Sequence, residues 1–123
     1  YVELLKEHDD YDYLQLDCDP ARVTFEVLTK IPFEKHRFAV ITFEHDYFAD
    51  EMSGVREKSR KYLQTQGYEL VVSNIAPNRY NSYEDWWVHP ELVDRERINR
   101  IKDTSDKPKK ADEFMLGKIW VEE

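Results

Sequence analysis

Glycine is scarce in this chain of 123 residues, occurring only as Gly54, Gly67 and Gly117. A turn that holds the phosphates of a nucleotide needs closely spaced glycines between a strand and a helix, because the backbone itself must approach the ligand. These three glycines are widely separated in the sequence. The sequence therefore predicts that no glycine-rich nucleotide cradle is present.

Cysteine and long apolar runs are also lacking. The single cysteine, Cys18, has no partner for an internal disulfide, which is typical of a reducing compartment. No apolar stretch approaches the roughly 20 residues of a membrane-spanning helix, and the N-terminus has no charged segment followed by an apolar one. We therefore expect a cytoplasmic protein that does not enter a membrane.

Positive charge is in the minority, with 18 Lys and Arg residues against 26 Asp and Glu and a net charge of −8. Nucleic-acid binding needs clustered basic residues that displace counterions from the phosphates, so nucleic acid is excluded as an expected partner. The one dense basic run is Lys107, Lys109 and Lys110, and it lies among acidic residues. Its composition predicts a solvated linker.

Apolar residues make up 41% of the chain and aromatic residues 14%, enough for one compact core. We divide the chain into an α/β unit over residues 1–94 and a C-terminal part over residues 95–123. The first part opens on what resembles the last turns of a helix, at residues 2–8. The second is predicted to be a charged helix, a linker and a short docking segment at residues 113–121.

Hydrophobic periodicity predicts an alternation of strands and helices. Asp19 is expected to cap the first helix and Pro20 to occupy its first position. The predicted fold is an α/β sheet, mostly parallel, with helices on both faces and an antiparallel pair formed by the last two strands. The strands are predicted at residues 11–17, 38–43, 68–75 and 85–88, and the first two helices at residues 20–31 and 53–66.

Acidic residues follow the first two predicted strands. Ligands of such sheets bind at the carboxyl ends of the strands, and neighbouring strands lie about 4.8 Å apart, so these groups should meet at one rim. They can supply a general base or oxygen ligands for a divalent metal such as Mg²⁺. In the alternative interpretation Asp19 caps its helix, Glu44 is solvated and His45 packs on Tyr47. The candidate catalytic residues are Asp17, Asp19, Glu44 and His45.

Aromatic residues cluster around the last predicted strand. They either line a substrate pocket, for example for a sugar, or pack the edge of the sheet. Because successive strand residues face opposite ways, Trp86 and Trp87 cannot both point inward on the same face. The candidate substrate-binding residues are Trp86, Trp87 and His89.

Three strings of residues resemble the second half of the FkbM-type S-adenosylmethionine-dependent methyltransferases: DYLQLDCD at residues 12–19, FAVITFEHDY at residues 38–47 and GYELVVSNIAPNRYNSYEDWWVHPELVD at residues 67–94. The most specific part is EDWWVHP at residues 84–90. The resemblance implies a partial Rossmann-like sheet made of the fourth to seventh strands of the class I methyltransferase fold. It also implies methyl transfer from S-adenosylmethionine to a hydroxyl of a small molecule or glycan, with Asp17, Asp19, Glu44 and His45 at the methyl-transfer pocket.

The sequence departs from that family in two places. Pro20 and Ala21 stand where the family usually has glycine and a small or acidic residue, and the glycine-rich turn is missing. Without the first three strands, one edge of the sheet would be exposed. The alternative function is therefore a non-catalytic fragment or self-association module that completes its sheet as a homodimer.

Overall fold

The computed structural model describes residues 9–18, 20–49 and 51–111. The predicted strands and the first two helices are confirmed, with ends that differ by at most two residues. The segments predicted at residues 2–8 and 113–121 lie outside the described residues. The elements are β1 (Asp9–Leu16), α1 (Ala21–Lys30), β2 (His36–Glu44), a single 3-10 turn (Glu51–Ser53), α2 (Val55–Thr65), β3 (Glu69–Ile75), β4 (Glu84–Val88) and α3 (Arg95–Ile101).

The fold is α/β, with one four-stranded sheet ordered β1-β2-β4-β3 among the described residues. Only β1 and β2 are parallel neighbours, whereas β4 is antiparallel to both β2 and β3. The prediction of a mostly parallel sheet is therefore wrong, and the sheet is mixed. The reason is that β4 returns through a short connection from β3 and inserts beside β2, which makes two of the three neighbouring pairs antiparallel. The predicted antiparallel pairing of the last two strands is confirmed.

Helices cover both faces of this sheet. On the first face, α1 and α2 bury Leu28 and Leu63 against strand residues such as Phe43 and Trp87. On the second face, α3 buries Ile98 against Val72 and other strand residues. Alternation along β4 assigns Trp87 to the first face and Trp86 to the second. The sequence prediction that the two tryptophans lie on opposite faces is confirmed.

The ends of α1 and α2 show what the local sequence determines. Pro20 occupies the cap position in an extended conformation, with φ −79° and ψ 171°, one residue earlier than predicted. The predicted cap Asp19 lies outside the described residues. Gly67 follows α2 with φ 92°, a left-handed conformation that favours glycine, and the Tyr68 amide donates to the Leu63 carbonyl.

The segment predicted to be a solvated linker instead lies along β3. Asp103 forms a bridge with Val72 and Lys109 forms one with Ile75, both in the parallel sense. The Lys109 side chain is 2% exposed, and its Nζ donates to oxygens of Ser73, Asp103 and Ser105. Burial of a lysine requires such donors to be paired, so composition alone misled the prediction. The outer side of β3 is thereby covered, and β1 is the strand at the other edge of the sheet among the described residues.

No helix within the described ranges has both the length and the apolar character needed to cross a bilayer.

Candidate active site at the carboxyl ends of the strands

Three carboxylates lie side by side where β1 and β2 end and β4 begins. Glu44 is paired with Glu84 in the β2–β4 register, and the parallel pair Leu16–Phe43 brings Asp17 beside Glu44. We call Asp17, Glu44 and Glu84 the carboxyl row. The β1–β2 register thus brings Asp17 and Glu44 together at one rim, and interaction with Asp17 is among the causes that raise the pKa of Glu44. This row lies on the second face, because Phe43 and Trp87 point to the first.

Glu44 is the most perturbed member of the carboxyl row. Its pKa rises from an ordinary 4.5 to about 8, first because it is partly buried, then because it shares a hydrogen bond with Asp17 and lies near the charges of Asp17, Asp46 and Glu84. At neutral pH the Glu44 carboxyl therefore holds its proton. Such a pair takes up or releases one proton near physiological pH, as a general acid or base must.

Glu84 extends the row onto β4 and was not among the predicted site residues. Burial raises its pKa, and the nearby charge of Asp17 also raises it, although the indole of Trp86 donates a hydrogen bond to its Oε1 at 2.8 Å. Trp86 is half-buried on the same face as the carboxyl row. Of the three predicted substrate-binding residues, it is the one that reaches the acidic rim.

His45 is placed differently from the other candidates. Its side chain is fully buried, Nε2 lies 3.2 Å from Asp85 Oδ1, and the Tyr47 amide donates to Nδ1 at 3.1 Å. With Nδ1 accepting, the ring proton is assigned to Nε2, which donates to Asp85. Both ring nitrogens are thus engaged inside the protein, and His45 does not reach the surface where a substrate would bind.

Asp85 receives hydrogen bonds from three neighbouring elements. Arg60 of α2 contacts both carboxylate oxygens, at 2.8 and 2.9 Å, and the Asn74 amide of β3 donates to Oδ1 at 2.9 Å. Burial alone would raise the Asp85 pKa, but the hydrogen bonds from His45 and Arg60 outweigh it and hold the pKa well below its usual range. We call His45, Arg60, Asn74 and Asp85 the buried network.

Asp17 is positioned by a hydroxyl at the start of α1. Thr24 is fully buried, its Oγ1 accepts from the Cys18 amide at 2.9 Å and donates to the Cys18 carbonyl at 2.8 Å. These two hydrogen bonds between Thr24 and the backbone of Cys18 hold the turn that follows Asp17. Asp19, the remaining catalytic candidate, lies outside the described residues.

Trp87 and His89 do not join the carboxyl row. Trp87 is fully buried in the core beneath α1 and α2, where it contacts no solvent. The His89 amide donates to the Ala39 carbonyl near the start of β2, so His89 lies at the opposite end of β4 from Glu84. The four residue steps from Glu84 to Val88 correspond to about 13 Å.

His89 lines a separate cleft of about 450 Å³ at that opposite end. Two of the charged groups that line it are matched with each other: Arg37 donates to Glu91 at 2.8 Å and also to both oxygens of Asp10 at 2.8 and 2.9 Å. The Glu91 amide donates to Nδ1 of His89 at 3.2 Å. The structure therefore divides the predicted site into an acidic rim and a distant cleft.

Glu84, Asp85 and Arg60 are the site residues that sequence reasoning missed. No sequence signal pointed to Glu84, because its place beside Glu44 depends on the pairing of β4 with β2, which only the tertiary fold decides. The buried position of Asp85 had no sequence signal, because its partner Arg60 lies 25 positions away on another element. Within the described ranges, no group of three or more His, Cys, Asp or Glu side chains is arranged to hold a metal ion.

Comparisons with known proteins returned no relative of this chain: no family model, no curated protein and no solved structure matches it.

Proposed function

We propose that this chain is the C-terminal half of a methyltransferase-like domain of the FkbM type, in which the carboxyl row serves the acceptor side of O-methyl transfer from S-adenosylmethionine. The acceptor is a hydroxyl of a small molecule or a glycan. The proposal rests on the resemblance of the three sequence strings and on the strand arrangement. It concerns the whole domain, of which the described residues supply one part.

The observation that carries the proposal is the place of the antiparallel strand. In the class I methyltransferase sheet the last strand is antiparallel and lies between the fifth and sixth strands. The described sheet has the order β1-β2-β4-β3, with β4 antiparallel to both neighbours. If β1 to β4 correspond to the fourth to seventh strands, both features agree. This agreement in order and direction supports the proposal.

The described residues do not by themselves fit the cofactor. Its nucleoside part needs a close backbone approach by clustered glycines. Among the described residues, Gly54 is a single glycine at the end of the long connection from β2 to α2, and Gly67 follows a helix. We therefore derive no methyl-transfer step from these residues. Their own contribution is general base catalysis. When the substrate hydroxyl loses its proton, the Asp17–Glu44 pair accepts that proton.

Binding of S-adenosylhomocysteine, measured by calorimetry, tests the proposal on the intact gene product and on this chain alone. We expect binding by the intact product and none by the chain. Combined Asp17→Asn and Asp19→Asn should weaken the binding, because the resemblance places both residues at the methyl-transfer pocket, where acceptor and cofactor meet. Asp12→Asn, at an exposed acidic position on β1, should leave it unchanged. Absence of binding by the intact product would refute the proposal.

A second candidate function is self-association through β1. The outer side of β3 is covered by residues 103–109, and on β1 the side chains of Tyr11 and Tyr13 are 45% and 53% exposed. An uncovered edge strand can pair with another strand. Because β1 carries Asp9, Asp10 and Asp12, antiparallel pairing of two copies brings like charges together, and dimerisation should strengthen with salt. Sedimentation that shows a monomer at high protein and salt concentration excludes this candidate.

A further inference from the structure

The carboxyl row and the buried network occupy neighbouring positions in the sequence. His45 directly follows Glu44, and Asp85 directly follows Glu84. Glu44 and Glu84 are partners in the β2–β4 register, and His45 is hydrogen-bonded to Asp85 at 3.2 Å. The same two strand ends thus carry a partly buried pair of carboxyl groups on one side and a fully buried His–Asp contact on the other.

His45 also closes the turn that follows Glu44. Asp46 has φ 47°, a left-handed conformation that a residue with a side chain adopts at some cost. The turn is held by the Tyr47 amide, which donates to Nδ1 of His45 at 3.1 Å. The amides of His45 and Asp46 both donate to the Tyr83 carbonyl, at 2.7 and 3.1 Å. The end of β2 is therefore tied to β4 through backbone and imidazole together.

We infer that His45 is a positioning residue: held between Asp85 and the Tyr47 amide, it keeps the end of β2 in the conformation that places the Glu44 carboxyl against Asp17. The inference rests on the proposed function in one respect, namely that the Glu44–Asp17 pair handles the substrate proton. It changes the role that the sequence suggests for His45, from proton transfer to support. Arg60 completes the support, because it neutralises Asp85 and links β4 to α2.

The surroundings of Glu44 explain why its position matters. Apart from burial, the main causes of its raised pKa are the carboxylates of Asp17, Asp46 and Glu84. Small displacements of the β2 end would let water reach the carboxyl and separate it from Asp17, so its proton affinity would fall. The groups that face it are Asp17 just after β1, Asp46 in the turn after β2, Tyr83 just before β4, and Glu84 at the start of β4. The groups that face His45 are Asp85, with Arg60 behind it, and the Tyr47 amide.

A titration of the Glu44 carboxyl by carbon-13 NMR tests this inference without cofactor or substrate. His45→Phe keeps a ring of similar size but removes both hydrogen bonds, whereas His45→Gln keeps a donor that reaches Asp85. We expect the Glu44 midpoint to fall by about one unit in His45→Phe and by less than about half a unit in His45→Gln. A folded His45→Phe protein with an unchanged Glu44 midpoint would overturn the inference.

If His45→Phe does not fold, Arg60→Lys replaces it in the same measurement. Lysine keeps the charge beside Asp85 but loses the two-pronged contact, so the Glu44 midpoint should fall in the same direction by a smaller amount. An unchanged midpoint in Arg60→Lys then overturns the inference. Because the readout needs no methyl transfer, the inference can fail while S-adenosylhomocysteine binding is found, and it can stand where that binding is absent.

Discussion

Glu84 and Asp85 follow one another on β4, yet their pKa values are shifted in opposite directions. The pKa of Glu84, in the carboxyl row, is raised, and that of Asp85, in the buried network, is lowered. Burial raises the pKa of Glu84, which has one indole donor and lies among other acids. Asp85 is more deeply buried, but four hydrogen bonds from His45, Arg60 and Asn74 hold its pKa below its usual range. The comparison teaches that the donors around a carboxylate decide its charge state, and that burial alone does not.

Removing Asp85 should have the largest effect on stability. In Asp85→Ala the Arg60 guanidinium, the His45 ring and the Asn74 amide all lose a buried acceptor, and breaking a buried ion pair in this way costs about 4 kcal/mol. Urea unfolding measures the loss. Asp12→Ala on exposed β1 is the matched control, for which we expect a change within about 0.5 kcal/mol. A similar effect of both substitutions would mean that the buried network does not stabilise the fold.

The tryptophans extend the same comparison to the apolar side chains of β4. Trp87 is fully buried on the face of the buried network, so Trp87→Ala should reduce the free energy of unfolding by about 3 kcal/mol or more. Trp86 is half-buried on the face of the carboxyl row, and Trp86→Ala should cost about half as much because less area returns to water. Thermal unfolding of the two variants side by side checks the order. The reverse order would contradict the assignment of faces.

Glu44 should make the protein less stable as the pH rises. The folded protein holds the Glu44 proton up to about pH 8, whereas the unfolded chain releases it near 4.5, so between these values unfolding is accompanied by proton release. The free energy of unfolding therefore decreases from about pH 5 to about pH 8. Glu44→Gln should remove this decrease and be more stable than the wild type at pH 9, by roughly 1 kcal/mol since the site is partly screened by solvent. Chemical unfolding at a series of pH values measures it, and an unchanged slope in Glu44→Gln would contradict the shift.

Glu69 should have the smallest effect on the free energy of unfolding, and its pH dependence has the opposite sign to that of Glu44. It accepts hydrogen bonds from Arg95 and Lys102, which lower its pKa to about 2. Its contribution is present above the unfolded value of 4.5 and is lost as the pH falls towards 2. Glu69→Gln should cost less than about 1 kcal/mol at pH 7 and nothing at pH 2, because these partners are exposed. Glu96→Gln on α3 is the control, and a loss that persists at pH 2 would show that packing rather than charge is responsible.

Much of the fold could be predicted from local sequence. Alternation in residues 11–17 and the apolar run at residues 38–43 located β1 and β2, and Gly67 marked the end of α2. The pairing of strands was harder, because β4 lies beside β2 as well as β3 and only the tertiary fold decides that neighbour. The segment at residues 103–109 was mistaken for a linker, since its place on β3 depends on one buried lysine.

The candidate site was likewise predicted from the sequence only in part. The acidic ends of β1 and β2 suggested that Asp17 and Glu44 would meet, and they do. His45 and Trp87 have side chains of the right chemistry, but the pleat and the helices bury both of them. His89 is near Trp87 in the sequence but belongs to the far end of the sheet.

The sequence by itself determined the elements of this protein, the sign of its charge and the carboxylates at its strand ends, because these follow from periodicity and from residue type over a few positions. The tertiary structure alone decided which carboxylate keeps its proton, which is ionised and which imidazole is sealed in the core. The physical reason is that a charge state depends on the donors and solvent around a group, and those are brought together from β2, α2, β3 and β4 only when the chain folds.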